Sequence, residues 1–181
     1  MTDAAPLIRA AEPADAAALG RVHVRAWQAA YPGVMPDDFL DGLDPVQFGE
    51  RWARSLADPA PRTSRLVVLT ETGDLAGFAG VGPVRDDEAS GPGLGELYAI
   101  NLDPDAWGRG LGRHLLSAAT VELVGLGFTE AVLWVATGNA RARRFYEAAG
   151  WSHDGAERTD QSFGPPIAEV RYRLVVRTQP S

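Results

Sequence analysis

The run Trp107-Gly108-Arg109-Gly110-Leu111-Gly112 carries the strongest chemical signal in the chain. It lies between an apolar stretch, Leu94 to Leu102, and a helical one, Arg109 to Leu126. Glycines at alternate positions let the backbone approach a ligand closely and take dihedrals that other residues avoid. The first N–H groups of a helix have no partner within it and point at whatever lies ahead. The helix dipole adds roughly 0.3–1 kcal/mol for an anion placed there. Arg109 and Arg113 add charge in a fork geometry suited to phosphate. The spacing describes an anion site, with a plain glycine turn as the competing reading. Two common phosphate loops are excluded. The dinucleotide fingerprint needs a third glycine where Arg113 and Leu115 stand. The P-loop needs a lysine, and all 17 basic residues of this chain are arginine.

Other residues could work beside such a site. Glu96, at the start of the strand that enters the turn, is a candidate general base, against an even chance of a solvated strand-end carboxylate. Asn139 opens a later helix, where asparagine also serves as an ordinary cap. Tyr146 follows seven residues on, beside Phe145, and both could be core aromatics. Tyr31 lies in an aromatic-rich region with Trp27, Phe39, Phe48 and Trp52, and is the candidate for substrate contact. His23, His114 and His153 have no metal-ligand spacing, so no metal is expected and each reads as a core or surface residue.

Composition narrows the function further. The chain has 181 residues, enough for a single domain spanning 1–181, with 45% hydrophobic residues. No cysteine is present, which removes disulfides, thiolate catalysis and cysteine zinc sites. The net charge of −7 argues against nucleic acid as a partner. No apolar run is long enough for a membrane span, and no signal-peptide pattern opens the sequence, so a cytoplasmic location is expected. Arginines cluster in the middle of the chain. Asp37, Asp38, Asp41 and Asp44 cluster early and could face a cationic substrate, although solvated surface is the favoured reading and carboxylates near helix starts are ordinary.

These residues must be positioned by alternating elements. Leu7 to Ala10 reads as a strand. Pro13 and Asp15 open a helix whose buried face carries Leu19, Val22, Ala26 and Ala30. Tyr31-Pro32-Gly33 ends it. Pro36 and Asp44-Pro45 open further helical pieces, the second with a Phe48, Trp52, Leu56 stripe. Arg65 to Glu71 and Leu75 to Val81 form a hairpin about Thr72-Gly73-Asp74. Val84 to Gly93 is a loop. Leu94 to Leu102, Ala131 to Ala136, Trp151 to Asp154 and Glu169 to Val176 are strands. Ala140 to Ala149 is a helix, and Phe163-Gly164-Pro165-Pro166 connects the last two strands. The expected fold class is α/β: about seven mostly antiparallel strands, a central parallel β-α-β pair and four main helices. The last strand leaves a homodimer open.

The combination resembles the GCN5-related N-acetyltransferase (GNAT) superfamily. Its central motif is a strand, then Q/R-x-x-G-x-G/A, then a helix. Residues 107–112 match both small positions and place Trp107 where the family has Gln or Arg. Asn139, Phe145-Tyr146-Glu147 and Gly150-Trp151 match a second family motif. The resemblance implies acetyl transfer from acetyl-CoA to a primary amine of a small molecule or peptide. By that carry-over, the backbone of Ile100, Asn101 and Leu102 lines the pantetheine. Trp107, Gly108, Arg109, Gly110, Leu111 and Gly112, with Arg113, hold the pyrophosphate. Asn139 contacts the cofactor, and Tyr146 protonates the leaving thiolate. Glu96 matches the strand glutamate that acts as base in one branch. Strict alternation puts it on one face with Tyr98, Ile100 and Leu102; a bulge of the family's usual kind breaks that parity. In another branch the base lies on the next strand, where this chain has Trp134. The alternatives are a non-catalytic acyl-CoA-binding module and a domain for another phosphate ligand.

Overall fold

The computed structural model describes residues 6–85, 91–162 and 164–176. Phe163 of the expected connector and residues 86–90 of the expected loop lie outside the described residues. In chain order the elements are β1 (Ile8–Ala10), α1 (Ala16–Ala30), α2 (Asp37–Asp41), α3 (Pro45–Ala57), β2 (Ser64–Leu69) and β3 (Leu75–Pro83). They continue with β4 (Leu94–Leu102), α4 (Leu111–Gly125), β5 (Glu130–Ala136), α5 (Ala140–Ala148), β6 (Ser152–Asp160) and β7 (Ile167–Val175). All seven strands form one sheet in the order β1-β2-β3-β4-β5-β7-β6. Only β4 and β5 run parallel; the other neighbours are antiparallel. With the five-residue α2 set aside, four main helices remain, as expected.

Each face of the sheet has its own core. On one, Leu115, Leu116, Ala119 and Leu123 of α4 pack on Leu66, Ala79, Leu97 and Leu133, joined by Tyr146 of α5. On the other, Leu19 and Val22 of α1 meet Val67 and Phe78, with Trp52 and Leu56 of α3 against them. Both helical stripes read from the sequence thus lie on the same side. Asp44 caps α3 by accepting from the Val46 amide at 2.8 Å.

Three features differ from expectation. The glycine-turn helix starts at Leu111, not Arg109, because Gly108 and Gly110 take φ of 77° and 76°, outside the helical region. β6 runs to Asp160 rather than Asp154. Its residues are mostly exposed and polar, so no apolar alternation marked it. β7 is not an edge: it pairs with β5 on one side and β6 on the other. Pairing with another subunit through β7 is therefore closed, and β6 occupies the edge.

β7 also fixes α5. Tyr172 is fully buried; its hydroxyl donates to Glu147 Oε1 at 2.6 Å and accepts from Arg143 Nε at 3.1 Å. Both partners are on α5, the helix that carries Tyr146. Tyr172→Phe leaves these partners without their shared hydroxyl, and the expected loss is about 1–2 kcal/mol of unfolding free energy, read from urea denaturation.

Candidate functional site

The parallel pair is short. Leu94, Gly95 and Glu96 pair with Glu130, Ala131 and Val132, and there the ladder stops. Beyond Glu96 the strands part, and backbone groups along the facing edges have no cross-strand partner. Backbone polar groups need partners, so such edges suit a ligand with amide groups of its own. A cavity of about 1100 Å³ occupies the gap and extends under α1.

A bulge in β4 sets what faces this space. Gly80 pairs with Ala99, but Val81 pairs with Leu97, which leaves Tyr98 as the extra residue. Leu97 packs on the α4 side, whereas Ala99 packs on the α1 side and Ile100 and Leu102 return to the α4 side. Strict alternation therefore fails: Glu96 is on the α1 face, opposite to Ile100 and Leu102. Nor is Glu96 a solvated strand end, since it is 1% exposed. Its Oε2 accepts from the Arg85 amide at 2.9 Å, and its Oε1 accepts from Arg85 Nη2 at 2.7 Å.

The glycine turn closes one end. Of the residues expected to hold the cofactor, Ile100, Asn101, Leu102, Trp107, Gly108, Gly110, Leu111, Gly112, Arg113 and Asn139 line the cavity; Arg109 is exposed and stands outside its wall. Gly110 caps α4 in a left-handed conformation, so the first amides of α4 open towards the cavity. A Cβ on Gly112 would come 3.1 Å from Leu102 Cδ1, which favours glycine there too. Arg25 of α1 anchors the approach to the turn, binding Asp103 at 2.7 Å and Asp105 at 2.9 Å. Trp107 donates its indole N–H to the Leu102 carbonyl at 3.1 Å, and the Arg141 guanidinium stacks 3.6 Å over its ring. Asn139 is a genuine cap, accepting from the Ala142 amide at 3.0 Å, and it lines the cavity as well.

Tyr146 is 8% exposed and packs at ring distances of 5.4 Å from Phe145 and 6.4 Å from Trp151. It is both a core aromatic and part of the cavity wall. Its hydroxyl has no hydrogen-bond partner among the described residues. Burial, and then the neighbouring Tyr31, push its pKa well above the usual phenol value, so it holds its proton. Tyr31 lines the same cavity; burial, with Glu169 nearby, pushes it up to about 12.

The other end is built from residues that periodicity did not single out. Glu169 of β7 and Arg158 of β6 pair at 2.7 Å, and burial holds the Glu169 carboxyl above its usual range despite that arginine. Arg158 also stacks 4.3 Å over Trp134. Arg65 of β2 lies over Gly80. No motif marks these positions. Their signal would have been charged residues on strands that otherwise face inward. The acidic run is elsewhere: Asp37, Asp38, Asp41 and Asp44 do not line the cavity. Among the described residues no group of acidic or histidine side chains could hold a metal ion.

The sequence profile of the acetyltransferase (GNAT) family matches residues 23–151, from α1 through the end of α5. The chain belongs to the GNAT family. Its enzyme class is that of an acetyl-CoA-dependent N-acetyltransferase, with acetyl-CoA as co-substrate. YuaI of Bacillus subtilis, an uncharacterized N-acetyltransferase, is 33% identical over 142 residues, which is 78% of this chain and 77% of YuaI. The mycothiol acetyltransferase of Mycobacteroides abscessus is 33% identical over 84% of this chain, which spans 46% of that protein's length. A GNAT-family crystal structure from Desulfovibrio desulfuricans superposes with a TM-score of 0.69 at 27% identity, covering 96% of this chain and all of that one. The fold of yncA from Salmonella typhimurium, solved with acetyl-CoA, matches with a TM-score of 0.68 at 22% identity over 97% and 96% of the two chains.

Two outcomes follow for this GNAT domain. Gly110→Val forces a β-branched residue to a φ of 76°, costing about 1–3 kcal/mol locally. Calorimetry should show acetyl-CoA affinity reduced about tenfold or more as the donor amides move. His23 is pushed down to about 4 by burial among aromatic rings, with Arg51 nearby, and accepts from Trp52 Nε1 at 3.3 Å. The folded state thus refuses a proton that the unfolded chain takes near pH 6.5. The stabilising neutral form is intact above that pH, and stability falls as pH drops from there towards 4. Between about pH 7 and pH 5 the loss from His23 is about 2 kcal/mol, and urea titrations of His23→Gln should show a correspondingly flatter pH profile.

Proposed function

We propose that this acetyltransferase moves the acetyl group from acetyl-CoA to a primary amine by direct attack, with no acyl-enzyme intermediate. One observation carries the reading. A single cavity runs from the glycine turn, past Tyr146, to the buried carboxylate of Glu96 and the half-buried one of Glu169. The chain has no cysteine to serve as an acyl carrier.

In this reading the turn amides and Arg113 bind the pyrophosphate, and the open edge of β4 from Ile100 to Leu102 pairs with the pantetheine. An alkylammonium loses its proton near pH 10.4, so at neutral pH the attacking free amine is rarer by roughly 4–5 kcal/mol. Glu96 takes that proton, held in place by Arg85. The amine lone pair then forms the C–N bond as the thioester C–S bond breaks. Tyr146 gives its proton to the departing sulfur and recovers one, through solvent, from the nitrogen that has become the amide, while Glu96 releases its proton to solvent. Glu169 favours a second assignment of the base, because its raised carboxyl is better matched to accepting a proton near neutral pH.

The Tyr146 hydroxyl holds no structural bond among the described residues, so Tyr146→Phe should fold normally. Its kcat should fall about 10²–10⁴-fold while acetyl-CoA binding is kept. Glu96→Gln and Glu169→Gln, assayed by thiol release across pH, identify the base: the variant whose loss shrinks at alkaline pH has lost it. If thiol release is undetectable over an amine library while acetyl-CoA still binds, the non-catalytic acyl-CoA-binding module is the correct description.

A further inference from the structure

The acceptor end of the cavity contains a cation that the reaction above does not use. Arg65 projects from β2 across the sheet floor. It can lie there because its cross-strand partner is Gly80: a Cβ at that position would meet Arg65 Cδ at 3.2 Å and Nε at 3.4 Å. Gly82, two residues on, clears the floor in the same way for Tyr98, whose hydroxyl would lie 2.4 Å from a Cβ there. Two glycines on one face of β3 thus make room for an arginine and a tyrosine side by side.

The charges around Arg65 are unevenly matched. Arg85 is paired with Glu96, and Arg158 with Glu169. Arg65 has no carboxylate partner among the described residues. Its Nη1 donates to the Ser64 carbonyl at 3.1 Å and the Val81 carbonyl at 3.5 Å, while Nε and Nη2 have no hydrogen-bond partner among the described residues. It is half-buried, and loss of solvent, with Arg85 close by, lowers its pKa. A partly desolvated guanidinium without a counter-charge is costly, and a ligand anion removes that cost. Arg65 and Arg85 lie over the same Tyr98 ring, at 5.3 and 4.2 Å from its centre. Both guanidinium groups thus flank one ring, which brings Arg65 into the neighbourhood of the Arg85–Glu96 pair.

We propose that the acceptor is a small amino acid-like molecule, whose carboxylate is bound by the Nε/Nη2 edge of Arg65 while its amine faces Glu96. This names the substrate class of the transferase reading above and rests on it. One guanidinium fork matches one carboxylate. A fork in the neighbourhood of the base suits an amine and a carboxylate joined by a few bonds.

The test compares leucine, leucinamide and isoamylamine as acceptors with acetyl-CoA. The expected kcat/KM favours leucine about 10- to 100-fold over both neutral-ended amines. In Arg65→Met that ratio should collapse towards one, and in Arg65→Lys it should be partly restored. Binding of 4-methylpentanoate, which has the carboxylate and no amine, is measured separately by calorimetry and should be lost in Arg65→Met. Equal turnover of the three acceptors by the wild type overturns the proposal and leaves the transferase reading standing. Arg65-dependent binding of 4-methylpentanoate with no turnover of any amine keeps the carboxylate site and overturns the transferase reading. The wild-type comparisons decide the matter even if a variant fails to fold.

Discussion

Everything in the site depends on the parting of β4 from β5 after three residue pairs. Parallel strands joined by a crossover helix normally continue side by side, with their backbone groups satisfied across the ladder. Here the ladder is abandoned in the interior of the molecule, where an unpaired peptide group is expensive. The chain limits that cost locally. Trp107 turns back to donate to the Leu102 carbonyl, and the β4 bulge at Tyr98 bends the strand away. What remains unpaired faces the cavity. The glycine turn then sits beyond the carboxyl end of β4, where the opening of the sheet and the amino end of α4 coincide. The proposed acyl-donor site is a place where the sheet was not completed.

The same opening explains the unusual electrostatics. The chain carries a net charge of −7, yet its cavity wall is rich in arginine. Such charges are tolerated because most have partners or stack on rings. Arg85 pairs with Glu96, Arg158 pairs with Glu169 and covers Trp134, and Arg141 covers Trp107. The three tyrosines of the wall, Tyr31, Tyr98 and Tyr146, are raised by burial and keep their protons. A wall of protonated phenols, paired carboxylates and stacked guanidinium groups is suited to orienting a polar reaction.

The donor half was legible in the sequence because it is local. Glycine alternation, the strand before it and the helix after it occupy one short stretch, and the physics of a helix start is independent of the rest of the chain. Asn139 and Tyr146 were legible only through their spacing and the family resemblance, since a cap and a core aromatic look the same from sequence alone. Both turned out to fill the bland role and to line the cavity. The facing of Glu96 was not legible, because one extra residue in β4 inverts everything downstream and leaves no compositional trace. The edge strand β6 was undercounted for a related reason: polar on both faces, it shows no period. Arg65, Arg158 and Glu169 stand on β2, β6 and β7, so only sheet order brings them together. The acidic run is conspicuous as sequence yet sits away from the cavity, in keeping with its reading as solvated surface.

The departure at Trp107 shows how the two halves tolerate different kinds of change. Backbone amides bind an anion at the turn, and they do not depend on which side chain opens the motif. A Gln or Arg there would contribute at most one more contact. Trp107 instead uses its indole N–H to close the Leu102 carbonyl and its ring to carry Arg141 from α5, a stacking worth roughly 0.5–2 kcal/mol. The positive charge at the mouth is thus supplied from the next helix. No such substitution is open at the acceptor end, where selectivity comes from the side chains themselves. Replacing Gly80 would push Arg65 off the sheet floor, and replacing Gly82 would displace Tyr98. In the proposed reading, donor recognition is a property of the chain path, and acceptor recognition is a property of individual residues.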